Sequence, residues 1–440
     1  MLLTSHPFLF FFLPISLLLY FLLFEKNHKF KVIYLGLVSA YFYFLDNSYF
    51  LIILVFLAIF TKLQISYRLF NNFFYILIIL FPLIIFKYSY LIYSFLGLNT
   101  PEFILNNFPI GLSFFTFQAI AYYFDRNRLQ NNESTFEIFT FLAFFPQLLA
   151  GPIVDISTYR KGINNYSNTQ EIEEGIRRLS IGILKKFFLA DTLSEITTVY
   201  INSSEIYSIS LLSSFLLIFS YTFQIYYDFS GYCDIAIGLG YLFGFKLPEN
   251  FNRPYLSKSF KEFWQRWHIT LSNFFKNHVY IPLGGNRASK LITYRNLWVT
   301  FFCTALWHGS SATFLLWGFL HGLFLTIEKM LKFNKLLSNR FTTLLLISLT
   351  WVPFFSKNLT DTFYIYFGLF NFDLQNDYLL PLIYQNIDFR FLLASTICIL
   401  SLRLNDFRIP NHPAVSITLL LVAILVVLSS SVDPFIYFKF

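Results

Sequence analysis

WQRWHIT (264–270) and ALWHGSSATFLLWGFLHG (305–322) set His268, His308 and His321 in sequence dominated by tryptophan, phenylalanine and leucine. Moving an ionisable ring from water into such surroundings is costly, so a histidine kept there is a functional candidate. The structural alternative is a ring hydrogen-bonded to a neighbouring helix. Trp264 and His268 are four residues apart, which on a helix puts them on one face and aims the imidazole inward beside an indole. His308 and His321, on one continuous helix, would be separated by roughly 20 Å of rise and about 140° of rotation, too far to serve one centre.

Working outward, 56% of the 440 residues are hydrophobic and 13% are charged, against about 25% charged in soluble domains. The mean hydropathy is +0.58. These values predict an all-α polytopic membrane protein. Its 61 Phe and 29 Tyr exceed what interfacial belts use, so many rings must pack between helices or line a cavity. The net charge of +8 reads as Lys and Arg in cytoplasmic loops, not as a nucleic-acid surface. Cys233, Cys303 and Cys398 are widely spaced and fit small core residues, with neither a disulfide framework nor a metal site.

Apolar runs near 8–24, 32–45, 49–61, 73–96 and 108–124 alternate with short loops. The basic loops carry Lys26, Lys29 and Lys31, Lys62 and Arg68, and Arg126 and Arg128, while the intervening ones carry Asp46 and Glu102. The positive-inside rule then places the N-terminus outside and Arg126 inside. Phe8 to Phe24 has no basic segment before it and no small-residue cleavage site after it, and reads as a first span. The run at 138–153 is basic on both sides and contains Pro146, Gly151 and Pro152, which predicts a re-entrant hairpin, buried in protein or lining a cavity. Ser167 with Gln170 suggests a capping box at the start of an amphipathic helix on the cytoplasmic surface, acidic first at Glu171, Glu173 and Glu174 and basic later at Arg177, Arg178, Lys185 and Lys186. Further runs at 209–227, 231–245, 296–308, 311–327, 342–356, 390–402 and 414–430 bring the expectation to roughly ten to twelve membrane segments. A single membrane-embedded domain over 1–440 is expected, without internal repeats, its motifs concentrated at about 109–328.

Asp228 and Asp234 lie in YYDFSGYCDIAIGLGYLFGF (226–245), either as polar lining of an active cavity or as interfacial acids on a helix whose glycines allow close packing. The segment 251–287 mixes Arg253, Lys258, Lys261, Arg266, Lys276 and Arg287 with aromatics, as an interfacial helix does. Those cations would attract a phosphorylated donor or anchor the helix on anionic lipid. LGGN (283–286) is a tight-turn signal. No GxSxG, HExxH, Walker loop or His-x4-Asp box is present, because Asn273 follows His268 at that last spacing.

The chain resembles the membrane-bound O-acyltransferases, most closely the bacterial branch that modifies alginate and teichoic acid. The resemblance runs from PIGLSFFTFQAIAYYFD (109–125) and FPQLLAGPI (145–153) through DFSGYCDIAIGLGYLFGFKLPENFNRPY (228–255), FWQRWHITLS (263–272), YIPLGGNR (280–287) and LWHG (306–309) to DPFIYFKF (433–440). It implies a ring of tilted transmembrane helices with re-entrant segments around a tunnel. By the same resemblance His308 matches the family's invariant histidine and His268 its second polar position. Asp228, Asp234, Trp264, Trp307 and His321 become tunnel-lining candidates, and Arg253, Lys258, Lys261 and Arg266 donor-binding candidates. The chain departs from its relatives at Phe274, Lys276, Asn277 and His278 and at Val154 and Asp155, positions the resemblance places toward the donor.

The expected activity is transfer of an acyl group, acetyl above all, from a cytoplasmic thioester to a hydroxyl of an extracytoplasmic glycan. His308 would be the general base, and His268 would orient it or donate to the developing oxyanion. No bound cofactor or metal is expected; coenzyme A or an acyl carrier protein would bring the acyl group as co-substrate. The expected partners are membrane lipid, the glycan and an extracytoplasmic acyltransferase or carrier, and the expected location is the inner membrane. Acylation of a lipid or protein hydroxyl is the alternative within the family. A transporter or flippase using its buried His and Asp is the alternative outside it.

Overall fold

The structure, a computed structural model, describes all residues except 25–26, 127–132, 204–207, 288, 332–338, 404–411, 431–434 and 437–440. Lys26, Arg128 and most of DPFIYFKF (433–440) lie outside the described residues, as does the side chain of Asp46. Among the described residues every regular element is a helix. Internal packing divides the chain into two units.

The first unit comprises Met1–Gly182, Tyr232–Glu249 and Asn411–Phe438. After the apolar helix Phe8–Phe24 come α1 (His28–Asn47), α2 (Leu51–Tyr67) and α3 (Asn72–Phe95). Asn27 and Asn71 start α1 and α3 by accepting hydrogen bonds from backbone N–H groups of the first turn. Two segments, Ser48–Tyr67 and Asn72–Phe95, are long and apolar enough to cross a membrane by length and composition. The helices α4 (Leu112–Arg126) and α5 (Thr135–Ala143) are largely buried, and a Ser134–Glu137 capping box starts α5. At Gly36 a Cβ would fall 2.6 Å from the Phe136 ring and the Thr140 hydroxyl, so α1 approaches α5 only because that side chain is missing.

The break expected in 138–153 is present. α5 ends at Ala143, Phe144 turns, and a four-residue helix, Phe145–Leu148, carries Pro146 in its first turn. Gln118 of α4 then clamps Val154 through both backbone groups. The amphipathic helix is α6 (Thr169–Ile183), but its cap lies one residue after the expected position. Asn168 Oδ1 accepts from Glu171 N at 2.9 Å, while the Ser167 hydroxyl turns to the carbonyl of Tyr241 at 3.3 Å.

Where two runs are expected at 209–227 and 231–245, the structure has one helix, α7 (Leu211–Leu242). Asp228 and Asp234 do not interrupt it, since each carboxylate meets a cation, Lys186 or Arg178. A Cβ at Gly238 would lie 2.6 Å from Leu179 N and 2.7 Å from Gly175 O, so the glycines serve close packing against α6.

The second unit comprises Ile183–Gly231, Asn250–Pro410 and Lys439–Phe440. The single interfacial helix expected over 251–287 is instead broken into short pieces, chiefly α8 (Phe260–Arg266) and α9 (Ile269–Phe275), and LGGN forms its turn with positive φ at Gly284 and Gly285. Next come α10 (Lys290–His308) and α11 (Ala312–Met330), a pair packed so closely that a Gly318 Cβ would sit 2.6 Å from Ala305 Cβ. Then follow α12 (Arg340–Thr350) and the short α13 (Val352–Phe355). Cys233 and Cys398 are buried and Cys303 is half-buried, with no disulfide among the described residues.

Candidate active site

The second unit gathers His268, His308 and His321 into an aromatic core, and chain breaks make this possible. α10 ends at His308 and α11 begins at Ala312, so His308 and His321 are not on one continuous helix, and the separation expected from helix geometry does not apply. The turn depends on Gly309, where a Cβ would meet the Phe314 ring at 2.2 Å. His308 lies edge-on to Trp317 with ring centroids 4.8 Å apart, and Trp317 is also 4.8 Å from His321. One indole therefore touches both imidazoles. Trp307 and Phe354 complete the surround of His308 at 4.8 and 5.1 Å.

The second break separates Trp264 from His268. α8 stops at Arg266, Trp267 is extended, and His268 has φ 43° and ψ 54° before α9 begins. The shared helical face expected for Trp264 and His268 is therefore absent. A left-handed conformation costs an L-residue roughly 1–2 kcal/mol, so something must hold it. Asn250 does. Its carbonyl accepts from Ile269 N at 2.9 Å, and its side-chain oxygen accepts from Thr270 N at 3.1 Å and Thr270 Oγ1 at 3.0 Å. His268 Nδ1 stands 3.2 Å from the same oxygen. The His268 ring is 1% exposed, edge-on to Phe229 at 4.6 Å and 5.9 Å from Trp307. His268 and His308 thus pack on a common indole, Trp307.

Trp264 turns to His321 instead, its Nε1 donating to His321 Nδ1 at 3.2 Å. An indole N–H can only donate, so the proton of neutral His321 sits on Nε2. That Nε2–H, with the indole N–H groups of Trp317 and Trp351, is buried with no acceptor among the described residues. Nothing in the linear sequence sets Trp317, Trp351 or Asn250 apart. The first two are ordinary in an aromatic-rich chain, and Asn250 lies 18 residues before the histidine it contacts.

Asp228 and Asp234, expected as lining or interfacial acids, are both buried and ion-paired. Asp228 meets Lys186 at 2.9 Å, and Lys186 also holds Asp191 at 2.7 Å. Lys186 belongs to a π-helical turn, Leu184–Ala190. In the first unit Asp234 meets Arg178 at 2.6 Å.

The four basic candidates are not equivalent. Arg266 pairs with Glu262 at 2.7 Å, and Arg253 is half-buried in a left-handed turn. Lys258 and Lys261 are exposed. Glu328 accepts from Phe260 N at 2.7 Å, closing the N-terminus of α8.

Residues 124–355, which contain this core, match the sequence model described as MBOAT, membrane-bound O-acyltransferase family. The chain belongs to the membrane-bound O-acyltransferase family. A peptidoglycan O-acetyltransferase of Helicobacter pylori is 34% identical over 433 residues, covering 84% of this chain and 80% of that protein. A probable alginate O-acetylase of Pseudomonas aeruginosa is 39% identical over 272 residues, 60% of this chain and 52% of its own length. A teichoic acid D-alanyltransferase of Bacillus subtilis is 29% identical over 263 residues, 55% of this chain and 65% of that protein. The chain thus spans about half the length of the alginate enzyme and most of the peptidoglycan enzyme. Family membership makes this protein an O-acyltransferase and sets the transporter alternative aside.

Proposed function

We propose that this O-acyltransferase moves an acetyl group from a thioester, supplied on the cytoplasmic side, to a hydroxyl of an extracytoplasmic glycan. The activities for which the relatives are named, on peptidoglycan, alginate and teichoic acid, support a glycan acceptor. The observation that carries the chemistry is His308, 5% exposed at the C-terminal end of α10 within an aromatic surround. A hydroxyl is a poor nucleophile, and a positioned imidazole that takes its proton during attack is worth about 10²–10⁴-fold. The alcohol oxygen bonds to the acyl carbon, the carbon–sulfur bond breaks, and the proton passes by way of His308 to the leaving thiolate. At a helix C-terminus the imidazolium formed on the way is favoured by the macrodipole.

The buried donors about Trp317, its own indole N–H and the Nε2–H of His321 packed on the same indole, suit the oxygen that gains charge on the acyl carbon. An aromatic surround that excludes water limits hydrolysis of the thioester. Mass spectrometry of envelope fractions from cells with and without the protein tests the reading. Loss of an acetyl ester from a glycan is expected; a loss confined to lipid or protein would replace the acceptor, and no loss in any fraction would reject transfer to an envelope hydroxyl.

The exposed Lys258 and Lys261 are assigned to donor capture, because coenzyme A and acidic carrier proteins are anionic. Changing both to Glu should raise the apparent KM for the donor more than it lowers kcat. The effect should fade with salt as the Debye length falls from about 10 Å at 0.1 M to about 3 Å at 1 M. Steady-state kinetics at two ionic strengths check it. An unchanged donor dependence would leave lipid anchoring as the role of these charges.

A further inference from the structure

We infer that Asn250 is a positioning residue that locks neutral His268 in the tautomer protonated on Nδ1, which leaves Nε2 with the lone pair, able to accept a hydrogen bond but not to donate one. Thr270 supplies the obligate donor that decides the orientation of the amide. Its backbone N–H lies 3.1 Å from the Asn250 side-chain atom and can only donate, so that atom is the amide oxygen and not the amide nitrogen. His268 Nδ1 is 3.2 Å from the same oxygen, and a bond between them requires the hydrogen on Nδ1. Nε2 of the neutral ring is then a lone pair. Of the two roles expected for His268, donation to an oxyanion is closed to the neutral ring, and orienting the base as a hydrogen-bond acceptor remains.

The same residue also fixes where the ring points. Asn250 is 1% exposed and holds the backbone on the C-terminal side of His268 at two consecutive residues, Ile269 through its carbonyl and Thr270 through its side chain. Ring orientation and tautomer therefore depend on a single asparagine. The opposite assignment holds at His321, where the Trp264 indole forces the proton onto Nε2. The aromatic core thus presents one imidazole as acceptor and another as donor, each set by a different neighbour.

The inference rests on the reading that His268 belongs to the acyl-transfer site, and its test separates the two. Full-length protein labelled with 15N-histidine is studied in lipid, and the His268 signals are identified by their loss in His268→Asn. Wild type should show a protonated Nδ1 and an unprotonated Nε2; the reverse would overturn the inference whatever the activity. Asn250→Ala should release the tautomer and lower kcat for a synthetic acetyl thioester by about 10–100-fold, the size of loss that follows removal of a residue orienting a metal-binding histidine. Its KM for the donor should stay within about twofold. Asn250→Asp keeps the oxygen acceptor and should retain the Nδ1–H signal and restore most of kcat. If Asn250→Ala does not fold, the wild-type and Asn250→Asp spectra still decide the tautomer, and kcat of Asn250→Asp decides the positioning role. A folded Asn250→Ala with unchanged kcat and an unchanged spectrum would reduce Asn250 to a structural clamp.

Discussion

Replacing His308 with alanine is expected to leave a folded protein whose acyl transfer falls by about 10²–10⁴-fold, the usual contribution of a positioned general base. The fold should survive because the rings around it keep other contacts: Trp307 with His268, Phe314 with Phe354, and Trp317 with Phe354 and Trp351. Activity should not, because no other histidine stands at the end of α10. Transfer of labelled acetyl per mole of folded protein, with near-ultraviolet dichroism as the check on folding, measures the outcome. Activity of His308→Ala within about threefold of the parent would make His308 a packing residue and leave the base to be found elsewhere.

Lys186→Ala should destabilise the protein far more than His308→Ala does. Lys186 is 2% exposed and bonded to Asp228 and Asp191, whose side chains are 3% and 15% exposed. Removing the ammonium takes a cation from two carboxylates at once, and breaking one buried ion pair costs about 3–5 kcal/mol. Unfolding in mild detergent, followed by tryptophan fluorescence, measures the loss. Lys186→Met combined with Asp228→Leu should recover part of it, because apolar groups of similar size can replace a buried pair. Equal midpoints for Lys186→Ala and the parent would show that the pair contributes no net stability.

Much of the helical character, and the histidines that carry the proposed chemistry, were legible in the sequence. The long apolar runs predict helices, and a histidine among tryptophans is conspicuous wherever it occurs. The breaks were harder to read. Gly309 looks like one glycine among many until the Phe314 ring is seen lying over it. Trp267 and His268 carry no turn signal, since the left-handed kink is held by Asn250 from outside the local segment. Spacing therefore paired Trp264 with His268, whereas the folded chain pairs it with His321, 57 residues away. For Asp228 and Asp234 the local sequence gives no sign of the partner either, since each cation, Lys186 or Arg178, comes from another segment.

The left-handed backbone at His268 also determines which mutants are informative. Asparagine, aspartate and histidine enter that region several times more often than other residues with a Cβ, and glycine enters it without steric cost. A substitution by Asn or Gly at position 268 thus changes the chemistry while leaving the kink undisturbed. Alanine, and still more valine or isoleucine, would add backbone strain to the lost imidazole, so a dead His268→Val enzyme would say little about proton transfer. For a residue placed like this one, the usual alanine scan is the wrong instrument, and an asparagine scan asks the cleaner question.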